Sequence, residues 1–181
     1  MQINKTSIPD VLVFEPTVHG DHRGFFMETW RDEWFENLSP GLQFVQDNHS
    51  KSIQGTLRGL HYQLKQTQGK FIRVVQGEVY DAVVDIRESS ATFGQWTGVI
   101  LSADNKKSLW VPPGFAHGFY VLSDTAEITY KCTDYYAAEY ERSLLWNDPD
   151  IGIDWPLLDT DLIISEKDRQ ASLFKDCETM P

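Results

Sequence analysis

Cysteine is scarce in this chain. Cys132 and Cys177 are the only two, far apart and without metal-ligand spacing, so no disulfide framework is available and both read as free thiols. Long apolar runs are missing too. No stretch approaches the ~18 uninterrupted apolar residues that a membrane span needs, and no basic N-terminal segment leads into an apolar run, so the expected location is cytoplasmic with no membrane partner. Positive charge is in deficit, with 16 Lys+Arg against 27 Asp+Glu for a net charge of -11. That balance speaks against a nucleic-acid partner, because such binding rests on neutralising phosphates with a basic face. Internal repeats, low-complexity tracts and linkers are also lacking. A single domain over residues 1–181 is expected, and it is long enough to bury a substantial core without disulfides or metals.

What is present leans towards β structure. Aromatic residues make up 13% of the chain, and Gly, Pro and Thr are frequent. Val11–Phe14 reads as a short strand, and residues 19–24 as a turn leading into a second strand, Phe25–Trp30. Alternation there puts Glu28 between two aromatics on an apolar face, where a carboxylate wants a partner. Trp34, Phe35 and Leu38 have helical spacing over Arg31–Leu38, closed by Pro40-Gly41. Further β-rich runs cover Leu42–Asn48 and Leu57–Gln63. Lys70–Gln76 and Val79–Ile86, joined by Gly77-Glu78, have the form of a β-hairpin. Gln95–Leu101, Ser108–Val111, Gly114–Leu122 and Ala126–Cys132 follow, separated by turn residues. Many short, evenly spaced strands predict a mainly β fold, a sandwich, jelly roll or small barrel with short peripheral helices. After Asp134 acidic residues dominate, and the segment through Trp146 and Trp155 reads as irregular structure pinned by tryptophans. Ser165-Glu-Lys-Asp168 has the form of a capping box, which predicts a helix from Glu166 through Leu173.

Against the acidic background, residues 48–77 hold Lys51, Arg58, Lys65, Lys70 and Arg73 and no acid. Such a local basic pocket suits one small phosphorylated ligand. Within it lies Leu57-Arg-Gly-Leu-His-Tyr-Gln63, which offers His61 either as a structural residue or as a titratable base. Strict alternation places Arg58 on the opposite face from His61 unless Gly59 bends the chain. His117 stands in Pro112-Pro-Gly-Phe-Ala-His117, similar to the second motif of cupin proteins, whose histidine is often a metal ligand. The first cupin motif should supply His-x-His and a glutamate. Here it reads His61-Tyr62-Gln63, short of the three ligands a catalytic metal needs. Tyr130, Tyr135 and Tyr136 read either as core and edge aromatics or as a proton donor and a stacking surface. Asp168 reads as the capping-box acid unless the terminal helix docks on the His61 strand.

Taken together, Asp21-x-Arg-Gly-Phe-Phe26, Phe44-Val-Gln-Asp-Asn48, Leu57-Arg-Gly-Leu-His-Tyr62, Gln68-Gly-Lys70, Pro113-Gly-Phe-Ala-His-Gly118, Tyr130-Lys-Cys-Thr-Asp-Tyr-Tyr136, Trp146-Asn-Asp-Pro149 and Ser165-x-Lys-Asp168 resemble the dTDP-4-dehydrorhamnose 3,5-epimerase family. The motifs run in order from the first strand to the terminal helix. The resemblance implies a cupin-type jelly roll, usually a homodimer with strand exchange, that inverts C3 and C5 of dTDP-4-dehydro-6-deoxy-glucose with no cofactor and no metal. It also implies roles. His61 would be the base, oriented by Asp168, with Tyr130 the acid on the other side of the sugar and Lys70 stabilising the enolate oxygen. Arg23, Glu28, Gln46, Asn48, Arg58, His117, Glu141 and Lys167 would hold the nucleotide sugar, and Tyr136 would stack on the thymine.

Such roles are chemically coherent. Removing a proton α to a ketone places negative charge on the carbonyl oxygen, and a cation aimed there lowers the barrier most. Histidine, with a reference pKa of about 6.5, is a usable base near neutral pH, and a tyrosine of reference pKa about 10 rests protonated. Three other readings compete: an epimerase inverting one carbon only, a non-catalytic nucleotide-sugar-binding cupin, and a metal-dependent cupin oxygenase.

Overall fold

A computed structural model describes residues 1–36 and 38–181. The first half holds β1 (Gln2–Lys5), β2 (Leu12–Glu15), β3 (Val18–Asp21), β4 (Gly24–Met27), α1 (Glu33–Glu36), β5 (Gln46–Ile53), β6 (Thr56–Gln63), β7 (Lys70–Gln76) and β8 (Glu78–Asp85). The second holds β9 (Trp96–Ser102), β10 (Ser108–Val111), β11 (Phe115–Val121), β12 (Thr125–Cys132), β13 (Glu141–Ser143), β14 (Ile163–Ile164) and α2 (Glu166–Arg169). One sheet has the order β1-β2-β10-β7-β12-β5. The other runs β13-β6-β11-β8-β9, with β14 added beside β6, while among the described residues β3 and β4 pair only with each other. Among the described residues no helix is long and apolar enough to cross a membrane.

The two large sheets face each other as a jelly roll. Period-two alternation sends Ile72 and Val74 of β7, Leu109 and Val111 of β10, and Ile128 of β12 inward against Val79, Val83, Leu101, Phe119 and Val121. Each fully buried aliphatic side chain contributes about 1.5–3 kcal/mol, so this layer supplies the main driving force. The outer faces are covered differently. Phe14, Phe71 and Trp110 lie under Phe35, Trp30 and Trp34 on the first sheet. On the second, Leu57, Leu60 and Tyr120 lie under Leu144, Ile151 and Trp155.

Several boundaries differ from those expected, each for a packing reason. Lys70–Gln76 and Val79–Ile86 do not form a hairpin: β7 pairs with β10 and β12, and β8 with β11 and β9. Gly77 (φ +74°) turns the chain from one sheet to the other, in a corner where a Cβ would lie 2.0 Å from the Thr125 carbonyl oxygen. Phe25–Trp30 shortens to Gly24–Met27, and Leu42–Asn48 gives way to a strand starting at Gln46, because Trp30, Leu42 and Phe44 leave for the outer aromatic cluster. The helix expected over Arg31–Leu38 covers Glu33–Glu36 and buries Phe35; Asn37 lies outside the described residues. The tryptophan-pinned segment holds as expected, with Trp155 Nε1 donating to the Trp146 carbonyl at 2.8 Å. The terminal helix stops at Arg169, because Ser172 bridges to Leu144 and draws the chain onto the sheet.

Candidate active site

Inward-facing polar residues gather at one end of the barrel. From the first sheet come Gln46 and Asn48 on β5, Lys70 on β7 and Tyr130 on β12. The facing sheet supplies His61 on β6 and His117 on β11. His61, Lys70 and Tyr130 line one cavity together with Gln63, Tyr136 and Glu141, and an adjoining cavity adds Arg58 and His117. Base and phenol therefore project from opposite walls.

Arg58 and His61 share that cavity because alternation fails between them. The β11 register slips between His117, opposite His61, and Phe119, opposite Arg58. Gly59 takes φ +114° at the slip, and a Cβ on it would lie 2.7 Å from both the Gly118 Cα and the His117 carbonyl oxygen. A bulge of this kind adds one residue to one strand and re-aims the side chains beyond it. Arg58, the one exposed residue of β6, is steadied by its Nε donating to Ser52 Oγ at 3.0 Å.

Asp168 belongs both to the helix cap and to the histidine. Its backbone N–H donates to Ser165 Oγ at 3.1 Å, as a capping box requires. Its carboxylate turns the other way, with Oδ1 2.6 Å from His61 Nε2 and Oδ2 accepting from the Gly59 N–H at 3.3 Å. Burial works to raise the carboxyl pKa, but the His61 hydrogen bond and charge and the Gly59 N–H outweigh it and hold Asp168 below the ordinary range. An ionised carboxylate can only accept, so Nε2 carries the ring proton and Nδ1 is left to take another.

Lys70 and Tyr130 answer mainly to burial. Burial lowers the ammonium pKa of Lys70, opposed by the negative charges of Asp81 and Glu141. It raises the phenol pKa of Tyr130, which keeps the hydroxyl protonated. Glu141 collects the rim of the site: its carboxylate accepts from the Tyr136 hydroxyl at 3.0 Å and pairs with Lys167 Nζ at 2.5 Å. Burial raises its pKa, but the bonds to Lys167 and Tyr136 prevail and hold it low. Gln46 Nε2 donates to Asn48 Oδ1 at 3.1 Å, which orients both amides within the wall.

Arg23 and Glu28 are not brought to this cavity. Arg23 pairs with Asp21 at 2.6 Å on the β3–β4 hairpin, and Glu28 pairs with Arg31 at 2.6 Å just beyond it. The partner expected for Glu28 is thus a neighbouring arginine. The hairpin projects because its strands hydrogen-bond only to each other, leaving Phe25 58% and Phe26 71% exposed.

One further residue enters from the floor. Asp81, fully buried, accepts from His117 Nε2 through both oxygens at 2.9 and 3.0 Å. The signal for it was an acid alternating inward with Val79 and Val83, the same kind of signal that drew attention to Glu28. Each histidine of the site thus has Nε2 committed to a carboxylate. Among the described residues no group of three or more His, Cys, Asp or Glu could hold a metal ion.

Comparison with known proteins identifies the family. Residues 5–176 match the dTDP-4-dehydrorhamnose 3,5-epimerase family. A protein of that name from Pseudomonas aeruginosa is 54% identical, with all of both chains covered. Among solved structures, a dTDP-6-deoxy-D-glucose-3,5-epimerase from Legionella pneumophila, in complex with dTDP-4-keto-L-rhamnose, superposes with a TM-score of 0.94 at 51% identity, covering 98% of this chain and 94% of the other. A 3'-monoepimerase from Streptomyces bikiniensis, in complex with dTDP-quinovose, gives 0.88 at 35% identity, covering 94% and 87%.

Proposed function

The chain belongs to the dTDP-4-dehydrorhamnose 3,5-epimerase family, and from that premise we propose how its residues divide the reaction. The protein is an isomerase that inverts C3 and C5 of dTDP-4-dehydro-6-deoxy-glucose in dTDP-L-rhamnose biosynthesis. His61 removes the proton α to the C4 ketone, and Asp168 stabilises the imidazolium that results. Negative charge then builds on the ketone oxygen, where the Lys70 ammonium meets it. Tyr130, projecting from the facing sheet, returns a proton to the opposite face of the carbon, which completes the inversion. Exchange of protons with solvent returns His61 to neutral imidazole and Tyr130 to its phenol, and the same pair then acts at the second carbon. No step calls for a cofactor or a metal.

Binding residues surround this centre. Arg58 anchors the diphosphate, Gln46, Asn48, His117, Glu141 and Lys167 hold the nucleotide sugar, and Tyr136 stacks on the thymine. Arg23 and Glu28 reach the site of a second copy in a strand-exchanged homodimer, a reading supported by a hairpin that carries two exposed phenylalanines and, among the described residues, pairs with no other strand of its own chain. A cytoplasmic location belongs to the same reading.

The observation that carries it is the 2.6 Å contact of His61 with Asp168, facing Lys70 and Tyr130 across one cavity. Turnover in D2O, followed by proton NMR, should place deuterium at both C3 and C5. Label at one carbon only would replace double inversion by single inversion. No label at all, in a protein that still binds dTDP, would leave a binding module.

A further inference from the structure

The loop that presents Tyr136 has no regular structure, yet four consecutive residues in it are gripped by glutamine side chains. The Asp134 carbonyl accepts from Gln68 Nε2 at 2.9 Å, and the Tyr136 N–H donates to Gln46 Oε1 at 2.9 Å. Gln63 takes the two peptide groups on either side of Tyr136. Its Nε2 donates to the Tyr135 carbonyl at 3.2 Å, and its Oε1 accepts from the Ala137 N–H at 2.9 Å. The second amide hydrogen goes to the Gln66 carbonyl at 2.7 Å. With two carbonyls and one N–H around it, the amide has a single orientation that satisfies all three.

Burial contrasts sharply across this clamp. Gln63 is 5% exposed, whereas Tyr135 and Tyr136 are 59% and 54% exposed. A half-exposed ring has little packing to hold it, so its direction is set by its backbone and by the phenol bond to Glu141. A surface that must meet a flat ligand binds more tightly when its geometry is set beforehand, because less ordering is left to occur on binding. Gln63 also lies two residues beyond His61 on β6, so one strand bears both the base and the clamp.

We infer that Gln63 is the positioning residue of the nucleotide-base platform, bracketing Tyr136 and setting its ring to receive the pyrimidine of the dTDP moiety. This rests on the reading of Tyr136 as the thymine-stacking residue. Gln63 touches the platform, not the reacting carbons, so its loss acts on binding through Tyr136.

Calorimetric titration of dTDP into the wild-type protein, Gln63→Met, Tyr136→Ala and the double variant tests the inference. Removing the clamp deletes two hydrogen bonds to the loop, one buried and one partly buried, and Gln63→Met should weaken dTDP about tenfold. It should also raise KM for the nucleotide sugar more than it lowers kcat. The double variant should bind no more than about twofold weaker than Tyr136→Ala alone, since a clamp with no ring to aim has nothing left to contribute. Losses that multiply in the double variant, or a Gln63→Met protein with unchanged dTDP affinity, would overturn the role of Gln63. Unchanged affinity in Tyr136→Ala would instead remove the stacking role, and with it the platform that Gln63 is inferred to set. Should Gln63→Met fail to fold, Gln63→Glu takes its place. It keeps the acceptor for Ala137 and gives up both donors, so dTDP should bind at least about threefold more weakly, and unchanged affinity would again overturn the role of Gln63.

Discussion

Replacing Asp168 by asparagine separates its charge from its shape. The Ser165 cap uses the Asp168 backbone N–H, so α2 keeps its start in the variant. What goes is the negative charge beside His61. Taking roughly 4 Å between charge centres and an effective dielectric of about 20, the attraction of carboxylate for imidazolium is about 4 kcal/mol. A transition state with about half the proton transferred forfeits about 2 kcal/mol, or about 30-fold in kcat. A second loss comes from geometry. Asp168 offers one oxygen to His61 and the other to the Gly59 N–H, whereas an asparagine has one oxygen for both. If that oxygen stays with Gly59, the amide NH2 faces Nε2 and moves the ring proton to Nδ1, the nitrogen that should act as base. The combined loss should fall between about 30- and 1000-fold in kcat. Deuterium wash-in by NMR at saturating substrate measures it, with dTDP titration and thermal melting as controls. A loss below about threefold, with dTDP binding intact, would refute the dyad.

Two more predictions concern the frame around the site. In Gly118→Ala the new Cβ would lie 2.6 Å from the Arg58 carbonyl oxygen and 3.3 Å from the Gly59 Cα, so β6 and β11 must part at the bulge. A cost of about 1–3 kcal/mol and a raised KM are expected, and an unchanged melting temperature with wild-type kinetics would show that the two glycines are not needed there. Asp85, fully buried, has its pKa pushed up by burial, but hydrogen bonds from Arg87, Ser90 and Thr92 prevail and hold it at about 2. Its unfolded value is about 3.9, so the lowered folded pKa contributes about 2–3 kcal/mol above pH 4, lost as pH falls through 2. Urea titrations should therefore find Asp85→Asn less stable than wild type by about that much at pH 7, with the gap closing below pH 4; a gap independent of pH would break the linkage argument.

The β class, the helix start and the basic segment around His61 were legible because their signals are local. A histidine and several cations in an acid-free segment, a Ser-x-x-Asp helix start, and strands broken at short intervals by turn residues all depend on side-chain type and near neighbours. The β class and the cap at Ser165 follow from such spacing, whereas the choice of His61 as base rested on the family resemblance that the ordered motifs carry. Boundaries were less legible where tertiary packing prevailed over local pattern. Trp30, Leu42 and Phe44 could serve a strand, but their rings and side chains bury more surface in the outer aromatic cluster.

Partnerships across the chain were decided by the tertiary structure alone. Asp168 meets His61 across 107 residues because α2 docks on β6, a fact that no periodicity carries. Arg58 joins His61 on one face through a register slip against β11, and register depends on the neighbouring strand as well as on a strand's own sequence. Gly77-Glu78 looked like a hairpin turn and proved to be a corner between sheets, since a tight turn leaves open which strands its flanks will pair with. Gln63 carried no chemical signal at all, and its clamp on Tyr136 exists only because β6 runs beneath that loop. The sequence by itself determined which chemical groups are available and what each could do. Only the folded sheets decided which of them meet, because contacts distant along the chain are set by sheet order and register rather than by local spacing.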